Sequence, residues 1–181
     1  MRFLGWTYDA NSNVTHISDD WMQEYHTTDR TYDALNRLTG ETFDGATVSY
    51  QYGPAGNRTV VTNQVNETTT YQFDADDRLV QVNDQYGGVT TYQLDANANV
   101  VEITHANGLV TTNTYDSLDR LLSTVTRQGM ETLFSFSYGY NADGQRVAVA
   151  EQDGSQVLYD YDSLHRLTSE VRTGTAPYDL G

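Results

Sequence analysis

Cysteine and lysine are both absent from this chain of 181 residues, and proline occurs only at Pro54 and Pro177. Lack of cysteine excludes disulfides, thiolate metal sites and cysteine nucleophiles, but it does not fix a compartment. Lack of lysine makes all ten basic residues arginine, against 25 acids, for a net charge of −15 and a pI near 4.3. So acidic a chain repels phosphate backbones, and its arginines are dispersed rather than gathered in a stripe, which argues against nucleic-acid binding. Exclusive use of arginine suits cations with fixed partners, because a planar guanidinium pairs and stacks where an ammonium only carries charge. A lineage poor in lysine would give the same composition. No apolar run reaches the length of a membrane helix, so no membrane insertion is expected. The opening Met1-Arg2-Phe3-Leu4-Gly5-Trp6 has no apolar signal region.

What is present is tyrosine, 14 copies in a chain only 38% hydrophobic. Such rings can pack while their hydroxyls reach polar partners. With abundant Thr and Val they predict an all-β chain.

Eight times an aromatic or large apolar residue is followed by Asp-Ala or a variant and then a polar turn. The copies begin at Tyr8-Asp9, Tyr32-Asp33, Tyr52-Gly53, Phe73-Asp74, Leu94-Asp95, Tyr115-Asp116, Tyr140-Asn141 and Tyr161-Asp162, separated by 24, 20, 21, 21, 21, 25 and 21 residues. That period marks a repeat array, in which each copy packs on its neighbours and not around one closed core.

Each copy opens with an alternating strand. Pairs such as Trp6/Tyr8, Tyr50/Tyr52, Tyr71/Phe73, Tyr92/Leu94, Tyr138/Tyr140 and Tyr159/Tyr161 place both side chains on one face. The following Asp accepts backbone N–H groups within a turn. Three residues later stand Ser12, Asn36, Gly56, Asp77, Ala98, Asp119, Gly144 and His165, where a short hairpin loop needs left-handed backbone. Ala98 departs from that preference. The chain returns as a second strand and turns again at Asp44-Gly45, Gly87-Gly88, Asn107-Gly108, Gln128-Gly129, Asp153-Gly154 and Thr173-Gly174. The expected fold is one continuous antiparallel meander of about 16 strands, curved or spiralling because strand twist accumulates.

A second periodicity overlies the first. Five residues after each aromatic the chain alternates between amide and guanidinium: Asn13, Arg37, Asn57, Arg78, Asn99, Arg120, Gln145, Arg166. The structural period is therefore two hairpins of unlike type. Each Arg is expected to tie neighbouring hairpins through an Asp or a tyrosine ring; turn geometry alone is the alternative.

The stretches Tyr-Asp-Ala-Leu-Asn-Arg-Leu-Thr (32–39), Tyr-Asp-Ser-Leu-Asp-Arg-Leu-Leu (115–122) and Tyr-Asp-Ser-Leu-His-Arg-Leu-Thr (161–168) strongly resemble YD repeats, also called Rhs repeats. The resemblance implies a long β-sheet spiralling into a hollow shell. In bacterial toxin complexes and Rhs toxins such a shell encloses a C-terminal toxic domain, and teneurins carry a related shell in cell adhesion. This chain is too short to close a cage alone. It lacks the Asp-Pro-rich terminal plug of those proteins, and it leaves no stretch outside the repeat to serve as a toxin. The chain ends Tyr178-Asp179-Leu180-Gly181 and begins Phe3-Leu4-Gly5-Trp6-Thr7-Tyr8, so Leu-Gly falls at a similar phase at both ends. A piece of a longer array, or a subunit stacking head to tail on further copies, would account for that.

Other candidate chemistry is thin. His16, His26, His105 and His165 lie in different repeats without metal-ligand spacing. Asp19-Asp20 and Asp74-Ala75-Asp76-Asp77 are the densest acidic clusters, and neither forms an EF-type calcium loop. A recurring turn Asp is architectural before it is a glycosidase carboxylate. Residues 19–25 are expected to make a helical turn or an irregular strand. Asn13-Val14-Thr15, Asn57-Arg58-Thr59 and Asn66-Glu67-Thr68 match the N-glycosylation acceptor pattern, which an Asn- and Thr-rich chain also produces by chance.

The sequence therefore predicts a single repeat array over 1–181, without enzymatic activity, cofactor, catalytic residue or metal, in a secreted or cell-surface parent. Its expected partners are adjoining repeats or further copies of the chain. The competing reading is a carbohydrate-binding or adhesive module, with glycans stacked on exposed rings.

Overall fold

In the computed structural model, residues 3–21 and 24–174 are described. The expectations placed on Pro177 and on the closing Tyr178-Asp179-Leu180-Gly181 lie outside them. The chain divides into two compact bodies, Met1–Val89 and Thr90–Gly181.

The first body holds β1 (Phe3–Tyr8), β2 (Val14–Trp21), β3 (Glu24–Tyr32), β4 (Leu38–Phe43), β5 (Ala46–Tyr52), β6 (Arg58–Thr62), β7 (Thr68–Phe73) and β8 (Leu79–Asn83). The second holds β9 (Val89–Leu94), β10 (Val100–Thr104), β11 (Leu109–Tyr115), β12 (Leu121–Gln128), β13 (Glu131–Tyr140), β14 (Arg146–Glu151), β15 (Gln156–Tyr161) and β16 (Leu167–Thr173). Within each body every strand pairs antiparallel with the next in chain order. The fold is an all-β meander, with no helix among the described residues. Residues 19–21 and 24–25 belong to β2 and β3, so the strand alternative holds there, while Met22 and Gln23 lie outside the described residues.

One loop design recurs at both ends of the hairpins. In twelve described turns the N–H of a first residue donates to the carbonyl four residues on, and the N–H of the fourth residue donates back to the first. Asp116 shows the pattern: its N–H reaches Arg120 O at 3.0 Å, and Asp119 N–H reaches Asp116 O at 3.1 Å. The fourth residue takes the left-handed backbone that closes such a three-residue hairpin. Ala98 does so as fully as the others, with φ of 68°, against 60° at Asp77 and 59° at Asp119. The Ala98 turn is therefore the same turn, held by its hydrogen bonds despite the cost of a Cβ in that region.

Two details differ from expectation. Gln128 pairs with Glu131, so the tight turn is Gly129-Met130, one residue later than the Gln128-Gly129 dipeptide suggested. With φ of 59°, Gly129 supplies the positive φ that opens a two-residue hairpin. A further turn at Asn63–Glu67, closed by Asn66 at φ 62°, carries no glycine and gave no signal of that kind.

Burial is shallow throughout. Among the described residues only Val149, Val157 and Ser155 count as buried. The repeat rings Tyr32, Tyr52, Tyr115, Tyr140 and Tyr161 are half-buried, whereas the residues just before them, such as Gln51, Thr114 and Asp160, are exposed. A sheet without a second layer covers its rings only by side chains of neighbouring strands on the same face. Tyr115, which an array core would bury, is therefore only half covered.

Candidate functional site: the clamps between hairpins

Every hairpin that starts with the repeat aromatic contains a bulge beside it. Tyr32 opposes Leu38 while Thr31 opposes Gly40, so Thr39 is the extra residue. The same shift occurs at Tyr8, Tyr52, Phe73, Leu94, Tyr115, Tyr140 and Tyr161. A bulge bends its strand and removes a rung from the ladder. The ladder to the next hairpin then stops short of the turn: β4 pairs β5 only from Gly40 onward, leaving the Leu38 carbonyl outside it.

The next repeat's tyrosine fills that gap. Tyr52 Oη donates to Leu38 O at 2.7 Å and Tyr32 Oη to Val14 O at 3.0 Å. In the second body Tyr115 Oη donates to Val100 O at 3.0 Å, Tyr140 Oη to Leu121 O at 2.8 Å and Tyr161 Oη to Arg146 O at 3.0 Å. The target is always the residue six beyond the preceding aromatic. Phe73 and Leu94 stand at the same repeat position without a hydroxyl.

The turn acids do local work. Asp116 Oδ1 accepts Leu118 N–H at 2.9 Å and Arg120 N–H at 3.0 Å, and Asp116 Oδ2 accepts Arg120 Nε at 2.6 Å. Asp33 with Arg37, Asp74 with Arg78 and Asp162 with Arg166 repeat the arrangement. Backbone N–H donation from the arginine, aided by its side chain, holds the Asp33, Asp74 and Asp116 carboxyls below the usual carboxylate range. For Asp162 the Arg166 side chain is the leading cause, and for Asp9 the Asn13 amide. In the amide repeats Asn13 and Asn99 replace the guanidinium on Asp9 Oδ2 and Asp95 Oδ2. At Gly53 no such side chain exists, and at Asn141 an amide accepts Gln145 N–H instead.

The alternation corresponds to two different clamps. In the guanidinium repeats each Arg bonds the Asp of its own turn, and of the two expected links to the next hairpin, an Asp or a tyrosine ring, the ring is found at Arg37 and Arg120. The bridge is the ring: Arg37 Cζ lies 4.5 Å from the centroid of Tyr52, and Arg120 Cζ 4.8 Å from that of Tyr140. Arg120 Nη1 also reaches Asn141 O at 3.4 Å. In the amide repeats the side chain spans to the left-handed residue of the next turn: Asn13 Nδ2 donates to Asn36 Oδ1, Asn57 Nδ2 to Asp77 Oδ1 and Asn99 Nδ2 to Asp119 Oδ1, at 2.8, 2.9 and 2.7 Å. Guanidinium over ring at Arg37 and Arg120 thus stands beside amide to carboxylate or amide at Asn13, Asn57 and Asn99, whereas Arg78 precedes Leu94, which has no ring, and Gln145 bonds Asn141 within its own turn.

Sequence reasoning missed further links. At the β3 overhang Asp44 accepts Thr27 N–H at 2.9 Å and bonds His26 Nδ1 at 2.5 Å, so Asp44 sits below its usual range and His26 above its own. His16 Nδ1 faces Asp29 Oδ1 at 2.7 Å across β2 and β3. No group of three or more His, Cys, Asp or Glu able to hold a metal ion occurs among the described residues. The grooves along the sheet are open and lined by repeat residues; one of about 530 Å³ runs over Phe134, Phe136 and Glu151.

Residues 56–178 match the family described as the teneurin YD-shell, and residues 32–64 match the RHS repeat. The chain belongs to the YD-shell family. No curated protein sequence matches it. Among solved structures it is similar to the crystal structure of TcdB2-TccC3-Cdc42, at 12% identity and a TM-score of 0.68 over 92% of this chain. It is similar also to the Photorhabdus luminescens Tc holotoxin pore, at 11% identity and a TM-score of 0.67 over 93% of this chain. In each case it spans 12% of the matched chain. The YD-shell chain thus has the repeat fold of much longer proteins.

Proposed function

We propose that this chain is a wall segment of a secreted or cell-surface YD shell, and that its work is to enclose a cargo carried by its parent protein. The observation that carries this reading is the paired clamp system. Tyrosine hydroxyls, arginines and asparagines are spent on holding hairpin to hairpin, and the same residues recur in repeat after repeat. Both carboxylate oxygens of Asp33, Asp74, Asp116 and Asp162 are engaged within their own turns. That arrangement supports a structural role in preference to hydrolysis by an aspartate ladder. The similar fold within the Photorhabdus luminescens Tc holotoxin pore supports a toxic cargo for the parent.

The glycan-binding alternative asks for exposed rings repeated along the array. Tyr32, Tyr52, Tyr115, Tyr140 and Tyr161 are half-buried with their hydroxyls engaged; of the recurring tyrosines Tyr8, in the first hairpin, is exposed, and the other exposed rings, such as Trp6, Tyr25, Phe43 and Phe134, do not recur in phase. A glycan array with the purified chain is expected to give no binding above background.

The test of enclosure is limited proteolysis of the full parent protein that carries this segment. Cargo should resist cleavage in the intact parent and become sensitive when Arg37→Ala and Arg120→Ala loosen the wall. Equal cleavage of cargo in both proteins would overturn the reading.

A further inference from the structure

We infer that Asn66 is the one residue of this chain built to accept an N-linked glycan when the protein passes through a glycosylating secretory route. Three Asn-x-Thr triplets are present, and the fold separates them. Asn13 is half-buried and its Nδ2 donates to both Asp9 Oδ2 and Asn36 Oδ1, at 2.9 and 2.8 Å. Asn57 is half-buried and its Nδ2 donates to Asp77 Oδ1 at 2.9 Å. Both amides are parts of the clamp between neighbouring turns. A sugar on either one would consume an N–H of that clamp and wedge a bulky group between hairpins.

Asn66 is differently placed. It is exposed, at the left-handed position of the Asn63–Glu67 turn, with φ of 62°. Its backbone N–H closes the turn on Asn63 O at 3.0 Å, while its side-chain amide has no hydrogen-bond partner among the described residues. The turn is held without it: Asn63 Oδ1 accepts Val65 N–H and Glu67 N–H, and Asn63 Nδ2 donates to Glu67 Oε2. Thr68, the hydroxyl residue that the transferase recognises in the triplet, opens β7 and pairs with Thr62 through the backbone. Val65 beside it is 63% exposed, so the turn tip stands in solvent.

The transfer forms a bond from Asn66 Nδ2 to the anomeric carbon of an oligosaccharide. The bond from that carbon to a lipid pyrophosphate breaks, the lipid pyrophosphate leaves with the electron pair, and one Nδ2 proton passes to a base of the transferase. Donor and transferase belong to the secretory route.

The experiment is expression of the full chain behind a cleavable secretory leader in a glycosylating eukaryotic host. Site occupancy is read by peptide mapping after enzymatic deglycosylation, in both medium and cell pellet. The expected result is high occupancy at Asn66 with Asn13 and Asn57 bare. Asn66→Gln and, separately, Thr68→Ala should each abolish the mass shift, and Thr68→Ser should retain part of it. An unmodified Asn66, or equal occupancy at Asn13 or Asn57, would overturn the inference. Circular dichroism matching the unmodified chain is expected for the glycosylated form, because no clamp is used; loss of β signal on glycosylation at Asn66 would also count against it.

Discussion

Tyr140 is gripped twice by the hairpin before it: its hydroxyl donates to Leu121 O at 2.8 Å, and Arg120 lies over its ring at 4.8 Å. The two contacts come from adjacent residues, so one hairpin end fixes both the tip and the face of the next repeat's tyrosine. Tyr140→Phe keeps the ring and removes only the hydroxyl. The expected cost is about 1 kcal/mol, the usual net worth of one such bond. Denaturant unfolding measures it, and a neutral outcome would mean that water replaces the hydroxyl without loss.

Phe73 offers the reverse experiment. The preceding repeat places the Tyr52 hydroxyl where Phe73 has none, and the equivalent carbonyl before it belongs to Arg58, outside the β6–β7 ladder. Phe73→Tyr should stabilise the chain by roughly 0.5–1.5 kcal/mol. Slower hydrogen exchange around Arg58–Val60 should accompany a rise in the melting temperature. Destabilisation would show that the clamp geometry does not carry over to this repeat.

Acid should act on the turns before it acts on the strands. Asp33, Asp74, Asp116 and Asp162 titrate below the ordinary carboxylate range in the folded chain. Their contribution is complete above the unfolded carboxylate pKa and is lost as pH falls through the lowered folded values. Asp116→Asn should therefore flatten the fall in stability across that acidic window. His26 has the opposite sign: its folded pKa is raised by Asp44, so its contribution is complete below the unfolded histidine value and fades as pH rises through the folded one. Ring titration followed by NMR should place His26 above a free histidine, and Asp44→Asn should lower it; an unmoved midpoint would remove Asp44 as the cause.

Tyr115→Ala tests how far damage spreads. A fully buried aromatic costs about 3–5 kcal/mol on truncation; Tyr115 is half-buried, so about 2 kcal/mol is expected. Hydrogen exchange should show lost protection in β10–β12, where its partners Val100 and Leu121 lie. Protection in β15 and β16 should persist, as coupling between nearest neighbours requires. Uniform loss across the second body would indicate one cooperative unit.

The repeat phase, the strands and most turns could be read from side-chain types, since Asp after the aromatic and a left-handed residue three further on define one loop. Asn66 escaped because that turn lacks the glycine that announced the others, and Gly129 was displaced because only strand register decides which residue leads a two-residue loop. The alternation of Arg120 with Asn99 was visible, but its meaning was not. Whether an arginine bonds its own Asp or a neighbour's depends on where bulges place the backbone. The hydroxyl-to-carbonyl bond of Tyr115 was hidden for the same reason: its acceptor is a main-chain atom that every residue possesses. Half-burial of the rings follows from the absence of a second layer over the sheet, which periodicity within a strand does not reveal.

The two unlike clamps also constrain how such a chain can change length. Loss of an arginine hairpin would bring two asparagine turns side by side, and the second would offer Gly56 or Ala98 where the first needs an acceptor side chain. Loss or gain of two together restores the match, as Phe73 and Tyr115, 42 residues apart, illustrate with their Arg78 and Arg120 turns. Duplication and deletion in such genes would then be tolerated in steps of two hairpins, so the wall carries a parity rule written in its side chains.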